Sequence, residues 1–227
     1  MQPRFVGRLG LADAVTVANA ALGFLAAAVA MVDPSLAARL ILLAAVADGL
    51  DGVIARKMGG TPVGDYLDSL ADVASFGVAP ALFVVSVANA EWGLVLGDLS
   101  MRGVAALGLP ALFVAAAVIR LGLYTAYDVA KHTTEGVQST LAATILAVVF
   151  LAGFQGATLL VGLAGLFAYL MVTTIQYPEL YARDAIAMGM IQALAILAPL
   201  AFDRIFPKGL LVAAVAYLVL APRFYWR

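Results

Sequence analysis

Eight apolar stretches, separated only by short polar or Pro/Gly-containing turns, run through the chain at about residues 11–32, 35–57, 64–88, 103–126, 137–154, 157–176, 183–201 and 209–222. The longer ones reach the roughly 20 residues a helix needs to cross about 30 Å of hydrocarbon. Lipid offers nothing to satisfy open backbone N–H and C=O groups, so every spanning stretch must be helical. The expected fold is therefore all-α, a polytopic membrane helical bundle of about eight transmembrane helices forming one domain over 1–227. The fifth and eighth stretches are short, so six or seven crossings also fit. A chain that is 64% hydrophobic and only 12% charged, with a mean hydropathy of +1.04, is too apolar for a soluble domain of this length. The first stretch is longer than a signal-peptide core and lacks a convincing cleavage site, so it reads as a retained span. The absence of cysteine excludes disulfides, thiolate metal sites and cysteine nucleophiles. A net charge of −1 with no basic patch gives no reason to expect nucleic acid as a partner.

Against this background, residues 48–72 stand out: D-G-L-D-G-V-I-A-R-K-M-G-G-T-P-V-G-D-Y-L-D-S-L-A-D. A carboxylate near the centre of a membrane helix costs about 2.5–3.5 kcal/mol on the insertion scale, and here five aspartates come together. Asp48 and Asp51 are spaced i,i+3, and Asp65, Asp68 and Asp72 run i,i+3,i+7, so each set lines one helix face. Two facing carboxylate rows form a site for divalent cations and a phosphorylated substrate. Packed side by side, they suit two metals roughly 3.5–4 Å apart, the separation used for in-line phosphoryl displacement. Gly52 and Gly64 remove side chains where a backbone must approach a ligand, and Arg56 is placed to pair with a phosphate oxygen or an aspartate. Thr61-Pro62 marks the turn between the two helices. An acidic interhelical loop with no function is the plainer reading; insertion energetics alone do not exclude it.

Basic residues set the expected orientation. With the N-terminus inside, cytoplasmic segments carry Arg4, Arg8, Arg56, Lys57, Lys131, Arg183, Arg223 and Arg227, against Arg39, Arg102, Arg204 and Lys208 on the other side. Eight against four favours both termini in the cytoplasm and an aspartate site opening toward it at membrane depth.

The segment resembles the signature of the CDP-alcohol phosphotransferases, D-x-x-D-G-x-x-A-R-(x)-G-x-x-x-D-x-x-x-D, with Asp48, Asp51, Gly52, Ala55, Arg56, Gly64, Asp68 and Asp72 on its fixed positions. The resemblance implies a six-helix membrane core, here followed by C-terminal spans, and transfer of a phosphatidyl-type group from a CDP-linked lipid to an alcohol with release of CMP. It implies two divalent cations, Mg²⁺ or Mn²⁺, on Asp48, Asp51, Asp68 and Asp72, with Asp72 also the base for the acceptor hydroxyl. Gly52, Ala55, Arg56 and Gly64 would border the CDP moiety, and a homodimer is expected. Leu67 to Ala81, and the first span with Thr16, Asn19 and Gly23, look much like the serine-using branch, the phosphatidylserine and archaetidylserine synthases, a resemblance that makes Thr16 and Asn19 candidates for binding substrate. Two departures leave the acceptor open: Arg120-Leu121-Gly122-Leu123-Tyr124-Thr125 lacks the branch's second arginine, and Gly136-Val137-Gln138 lacks its proline. Inositol phosphate or glycerol phosphate would be the alternative acceptors. The donor the resemblance implies is CDP-diacylglycerol or CDP-archaeol.

Asp65 lies outside the signature, and reads equally as a nucleotide contact or as a charge favoured at a helix N-terminus. Arg120, inside the fourth stretch, needs a compensating partner: an aspartate, or preferably a lipid phosphate or an acceptor carboxylate. His132 reads as a solvated loop residue; Lys131, Thr133, Thr134 and Glu135 beside it are secondary candidates for touching a polar acceptor. Trp92, Tyr177, Tyr181, Tyr225 and Trp226 read as interfacial anchors, and Gly108-Leu109-Pro110 as a kink or packing point. Two competing classes are an intramembrane prenyltransferase, whose two acidic motifs sit on separate helices, and a transporter, for which the second half shows no duplicated motif.

Overall fold

The computed structural model describes residues 7–93, 99–128, 133–178 and 180–225. Arg4, Lys131, His132, Trp226 and Arg227, all singled out above, lie outside the described residues. The elements run α1 (Leu11–Ala30), α2 (Pro34–Met58), α3 (Gly64–Asp72), a π-helical turn (Val73–Val78), α4 (Ala79–Trp92), α5 (Met101–Leu123), a second π-helical turn (Tyr124–Asp128), β1 (Thr133–Glu135), α6 (Ser139–Leu151), α7 (Ala157–Met171), β2 (Gln176–Pro178), α8 (Ala182–Leu197) and α9 (Ala201–Phe224). The π turn joins α3 and α4 into one continuous helix, so the eight apolar stretches each become one helical rod. The two short antiparallel strands, which pair Thr134 with Tyr177, were not foreseen.

Four of the described helices are long and apolar enough to cross a membrane: Leu11–Ala30, Gly64–Trp92, Met101–Tyr127 and Ala201–Phe224. This makes a helical membrane protein, with the count of eight crossings reduced to four candidates by length and composition. Helix α2 has the length, 25 residues, but carries Arg39, Asp48, Asp51, Arg56 and Lys57. Helices α6 and α7 are apolar but have only 13 and 15 residues, about 20 Å and 22 Å at 1.5 Å per residue. Helix α6 is buried along almost its whole length, so its hydrophobicity reflects an interior position rather than lipid contact. It shares the core with Phe76, Phe83, Phe113, Phe167 and Ile41, and Phe150 meets Phe83 edge to face at 5.3 Å between ring centroids.

Local chemistry explains the ends and bends that position the site. Asp33 caps α2 by accepting from the Leu36 N–H at 2.9 Å, with Pro34 in the first turn. Gly59, at φ +89°, ends the same helix. Pro80 supplies no N–H and its ring crowds the carbonyl of the preceding turn. The helix widens just before it, where Ala79 N–H bonds to the Ala74 carbonyl. The widening falls immediately after Asp72.

Between apolar helices in lipid, association depends on close packing at small residues and on interhelical hydrogen bonds. Helix α1 runs parallel to the α3–α4 rod on that basis. The Ser75 hydroxyl donates to the Asn19 carbonyl at 2.8 Å, and Ser86 donates to the Ala30 carbonyl further along. A Cβ added at Gly23 would stand 2.6 Å from Ser75 Oγ and 2.7 Å from its Cα. Gly23→Ala is therefore expected to lower the melting temperature of the detergent-solubilised protein, at an overpacking cost of about 1–3 kcal/mol that outweighs the roughly 0.5–1 kcal/mol helix gain of alanine over glycine. An unchanged or higher melting temperature would show that the two helices are not held this close. Gly165 similarly receives Leu109, which makes Gly108-Leu109-Pro110 a packing point.

Candidate active site and metal centre

The aspartate rows meet at one end of the bundle because the tight turn after Gly59 reverses the chain between α2 and α3. Asp48, Asp68 and Asp72 each offer a carboxylate oxygen, and these atoms all lie within 4.8 Å of one another. Asp72 is buried, while Asp48 and Asp68 are half-buried. The Asp48 and Asp72 carboxylates come into hydrogen-bonding contact, and the Thr140 hydroxyl at the start of α6 donates to Asp48. Two carboxylates in contact repel one another unless a proton or a cation lies between them. Asp51 is buried one turn beyond Asp48 and accepts from the Thr16 hydroxyl at 2.7 Å. Asn19, fully buried, directs its amide N–H toward Asp72 Oδ1 at 3.5 Å, while its own Oδ1 has no hydrogen-bond partner among the described residues. Among the described residues the donor set is all carboxylate, the chemistry that suits Mg²⁺ or Mn²⁺. The residues present therefore fit a divalent-metal centre.

Helix α5 supplies the opposite charge. It runs antiparallel to the α3–α4 rod: Ser69 is hydrogen-bonded to Thr125, and Gly77 faces Ala117 with room for ordinary contact at 3.5 Å. Arg120 lies between Ala117 and Thr125, which sets its backbone level with about Ala74, within one helical turn of Asp72. Its guanidinium is buried, close enough to attract the Asp72 carboxylate, 5.8 Å from the Tyr124 ring centroid, and donates from Nη2 to Thr134 Oγ1 at 3.0 Å.

The other sequence candidates sit nearby with different surroundings. Gly52 faces Arg56, whose Nη1 would be 3.5 Å from an added Cβ; Arg56 itself is exposed, and Ala55 is half-buried beside it. Gly64 faces Asp13, whose Oδ1 would lie 3.5 Å from an added Cβ. Asp65 is exposed in the first turn of α3. Of the loop candidates, Thr134 is buried against Arg120, Thr133 is half-buried and Glu135 exposed. Tyr177, expected at an interface with lipid headgroups, is instead buried; it packs on Tyr217, which in turn meets Tyr225.

Asp13 was missed. It is buried at the start of α1, accepts from the Gly10 N–H at 2.7 Å and from the Thr61 hydroxyl at 2.9 and 3.1 Å, and so ties α1 to the turn between the two acidic helices. An acidic residue inside an apolar stretch was its only signal. Thr140 and Ser75 had none, because nothing in their own segments says which helix they face.

Residues 9–220 match the family model described as CDP-alcohol phosphatidyltransferase. The chain belongs to this family. Among curated relatives, the archaetidylserine synthase of Methanothermobacter thermautotrophicus is 31% identical over 176 residues, covering 75% of this chain and 70% of the relative. The CDP-diacylglycerol–serine O-phosphatidyltransferase of Helicobacter pylori is 30% identical over 153 residues, 62% of this chain and 59% of that protein. A shorter match, 52% over 50 residues, links it to the enzyme of the same name from Mycobacterium leprae, covering 22% of this chain and 17% of that protein. Family membership makes the chain a CDP-alcohol phosphatidyltransferase of phospholipid biosynthesis and closes the prenyltransferase and transporter readings.

Proposed function

We propose that this enzyme transfers the phosphatidyl-type group of a CDP-linked lipid to the side-chain hydroxyl of serine, releasing CMP. The observation that carries the reading is the convergence of Asp48, Asp68 and Asp72 beside a buried, cationic Arg120. The names of the relatives, serine phosphatidyltransferases and an archaetidylserine synthase, favour serine as the alcohol. Asp72 takes the proton from the acceptor hydroxyl, whose oxygen forms a bond to the lipid-side phosphorus as the bond to the CMP oxygen breaks. Asp48, Asp51, Asp68 and Asp72 would hold two divalent cations, which supply charge neutralisation for the diphosphate and the departing CMP. Asn19 and Thr16 hold two of those carboxylates in place by hydrogen bonds. Arg120 meets the acceptor's carboxylate, its planar fork suited to a two-oxygen anion. Arg56, with Gly52, Ala55 and Gly64, borders the CDP moiety, and exposed Asp65 lies at the rim of that subsite. No covalent intermediate is required.

In this reading the whole chain works as one integral-membrane domain in the cell membrane, both termini and the site facing the cytoplasm, as the eight-to-four distribution of basic residues favours when all eight rods are counted as crossings. It works as a homodimer, as the family resemblance implies. An acceptor screen tests the central claim. Given CDP-diacylglycerol or CDP-archaeol with Mg²⁺ or Mn²⁺, the purified enzyme is expected to incorporate labelled serine into lipid and release CMP in equal amount. Incorporation of inositol phosphate or glycerol phosphate instead would replace the acceptor and leave the transfer chemistry standing. Mass spectrometry of the product identifies the acceptor and the lipid tail together.

A further inference from the structure

Arg120 is held from outside the aspartate cluster. One of its hydrogen-bond partners, Thr134, is the central residue of β1 and is itself buried. Three residues offer too little backbone pairing to be stable alone, so the position of Thr134 depends on what β1 rests against. Its neighbour is β2, with Tyr177 opposite Thr134. Just past the strand, Gly136 N–H donates to the Ile175 carbonyl at 2.8 Å, and Val137 N–H donates to the Leu170 carbonyl at 3.1 Å. Gly136 has φ +73°, and a Cβ there would fall 2.2 Å from the Met171 carbonyl oxygen, so the seat is tight. Strand β2 is in turn fastened to α9: the Tyr217 hydroxyl donates to the Pro178 carbonyl at 2.6 Å, and the Tyr177 hydroxyl donates to the Leu218 carbonyl at 3.2 Å. A continuous set of hydrogen bonds thus leads from the last helix, through both strands, to the guanidinium that attracts the Asp72 carboxylate.

We propose that Thr134 is the positioning residue that sets Arg120 as the anchor for the acceptor's anionic group, and that Tyr217 on α9 holds the ribbon carrying it. The inference rests on the reading above that Arg120 binds the acceptor. Its physical basis is that an arginine has several rotatable bonds and recognises a carboxylate through fixed fork geometry. A donor–acceptor partner on a seated strand, with an aromatic face alongside, removes that freedom before the acceptor arrives. Thr134 acts through Arg120 and does not touch the reacting atoms.

The test compares the purified full-length enzyme with Thr134→Val, Thr134→Ser, Tyr217→Phe and Arg120→Ala, measuring kcat and KM for labelled L-serine and for the CDP-lipid, with melting temperature as a folding control. Should the parent enzyme use an anionic phosphate acceptor instead, the same split is read with that acceptor. Thr134→Val is expected to raise the acceptor KM about tenfold, the size of a hydrogen bond to a charged group, while the donor KM stays within about twofold. Thr134→Ser keeps the hydroxyl and should restore the acceptor KM to within about twofold. Tyr217→Phe should move the acceptor KM in the same direction by a smaller factor. If Arg120→Ala raises the acceptor KM but Thr134→Val does not, the positioning role is overturned while the acceptor reading of Arg120 survives. If Arg120→Ala leaves the acceptor KM unchanged, the acceptor reading itself falls, and this inference with it. A Thr134→Val enzyme that loses kcat and melting temperature with both KM values unmoved would mark Thr134 as a packing residue and overturn the proposal.

Discussion

Asp72→Asn is expected to reduce CMP release by at least about a thousandfold while leaving the protein folded in the membrane. The carboxamide has nearly the same shape as the carboxylate but cannot take a proton from an attacking hydroxyl. Loss of a positioned general base alone removes about 10²–10⁴ in rate, and the same substitution weakens a proposed metal position. The fold should tolerate it, because Asp72 is buried in contact with Asp48. Removing one of two touching carboxylates relieves repulsion as long as no cation lies between them. With divalent cations chelated, the variant should therefore melt at the parent temperature or above it. Turnover near the parent level would exclude Asp72 as the base, whatever its metal role.

Removal of divalent cations gives the second large effect. Chelation should stop CMP release, and Mg²⁺ or Mn²⁺ should restore it, because the converging carboxylates present a concentration of negative charge that a diphosphate substrate cannot approach uncompensated. Turnover unchanged by a chelator would exclude metal-dependent transfer. Thr16→Val provides a graded version. It deletes the hydroxyl that donates to Asp51 at 2.7 Å without touching a carboxylate. Loss of such an outer hydrogen bond commonly costs 10–100-fold in metal affinity, so the Mg²⁺ concentration for half-maximal rate should rise by roughly that factor, while the rate at saturating metal recovers. A rise in serine KM alone, with the metal requirement unchanged, would assign Thr16 to the acceptor side instead.

Both predictions start from residues visible along the chain, and the reason is local. Asp48 with Asp51, and Asp68 with Asp72, are each brought to one face by helical periodicity, and Gly59 and Thr61-Pro62 mark the reversal that turns one row toward the other. Family membership follows from the same short segment. Asp13, by contrast, is no more prominent in the sequence than any isolated charge. Its importance comes from a hydrogen bond to Thr61, 48 positions away. Thr140 reaches Asp48 from the start of a helix that looked like a short membrane span. Tyr177 carries the signature of a headgroup anchor, and packs inward because β2 folds back against α9.

From the sequence alone came the helical membrane character, the eight helical rods and the four signature aspartates. All of these depend on periodicity and on the cost of charge in an apolar chain, which act within a segment. The tertiary structure decided that α6 is an interior helix and that Arg120, hydrogen-bonded to Thr134, comes close to Asp72. Those features arise from the packing of small residues such as Gly23 and Gly77 across helices and from hydrogen bonds between distant segments. Such contacts depend on relative position in space, which neither composition nor local spacing encodes.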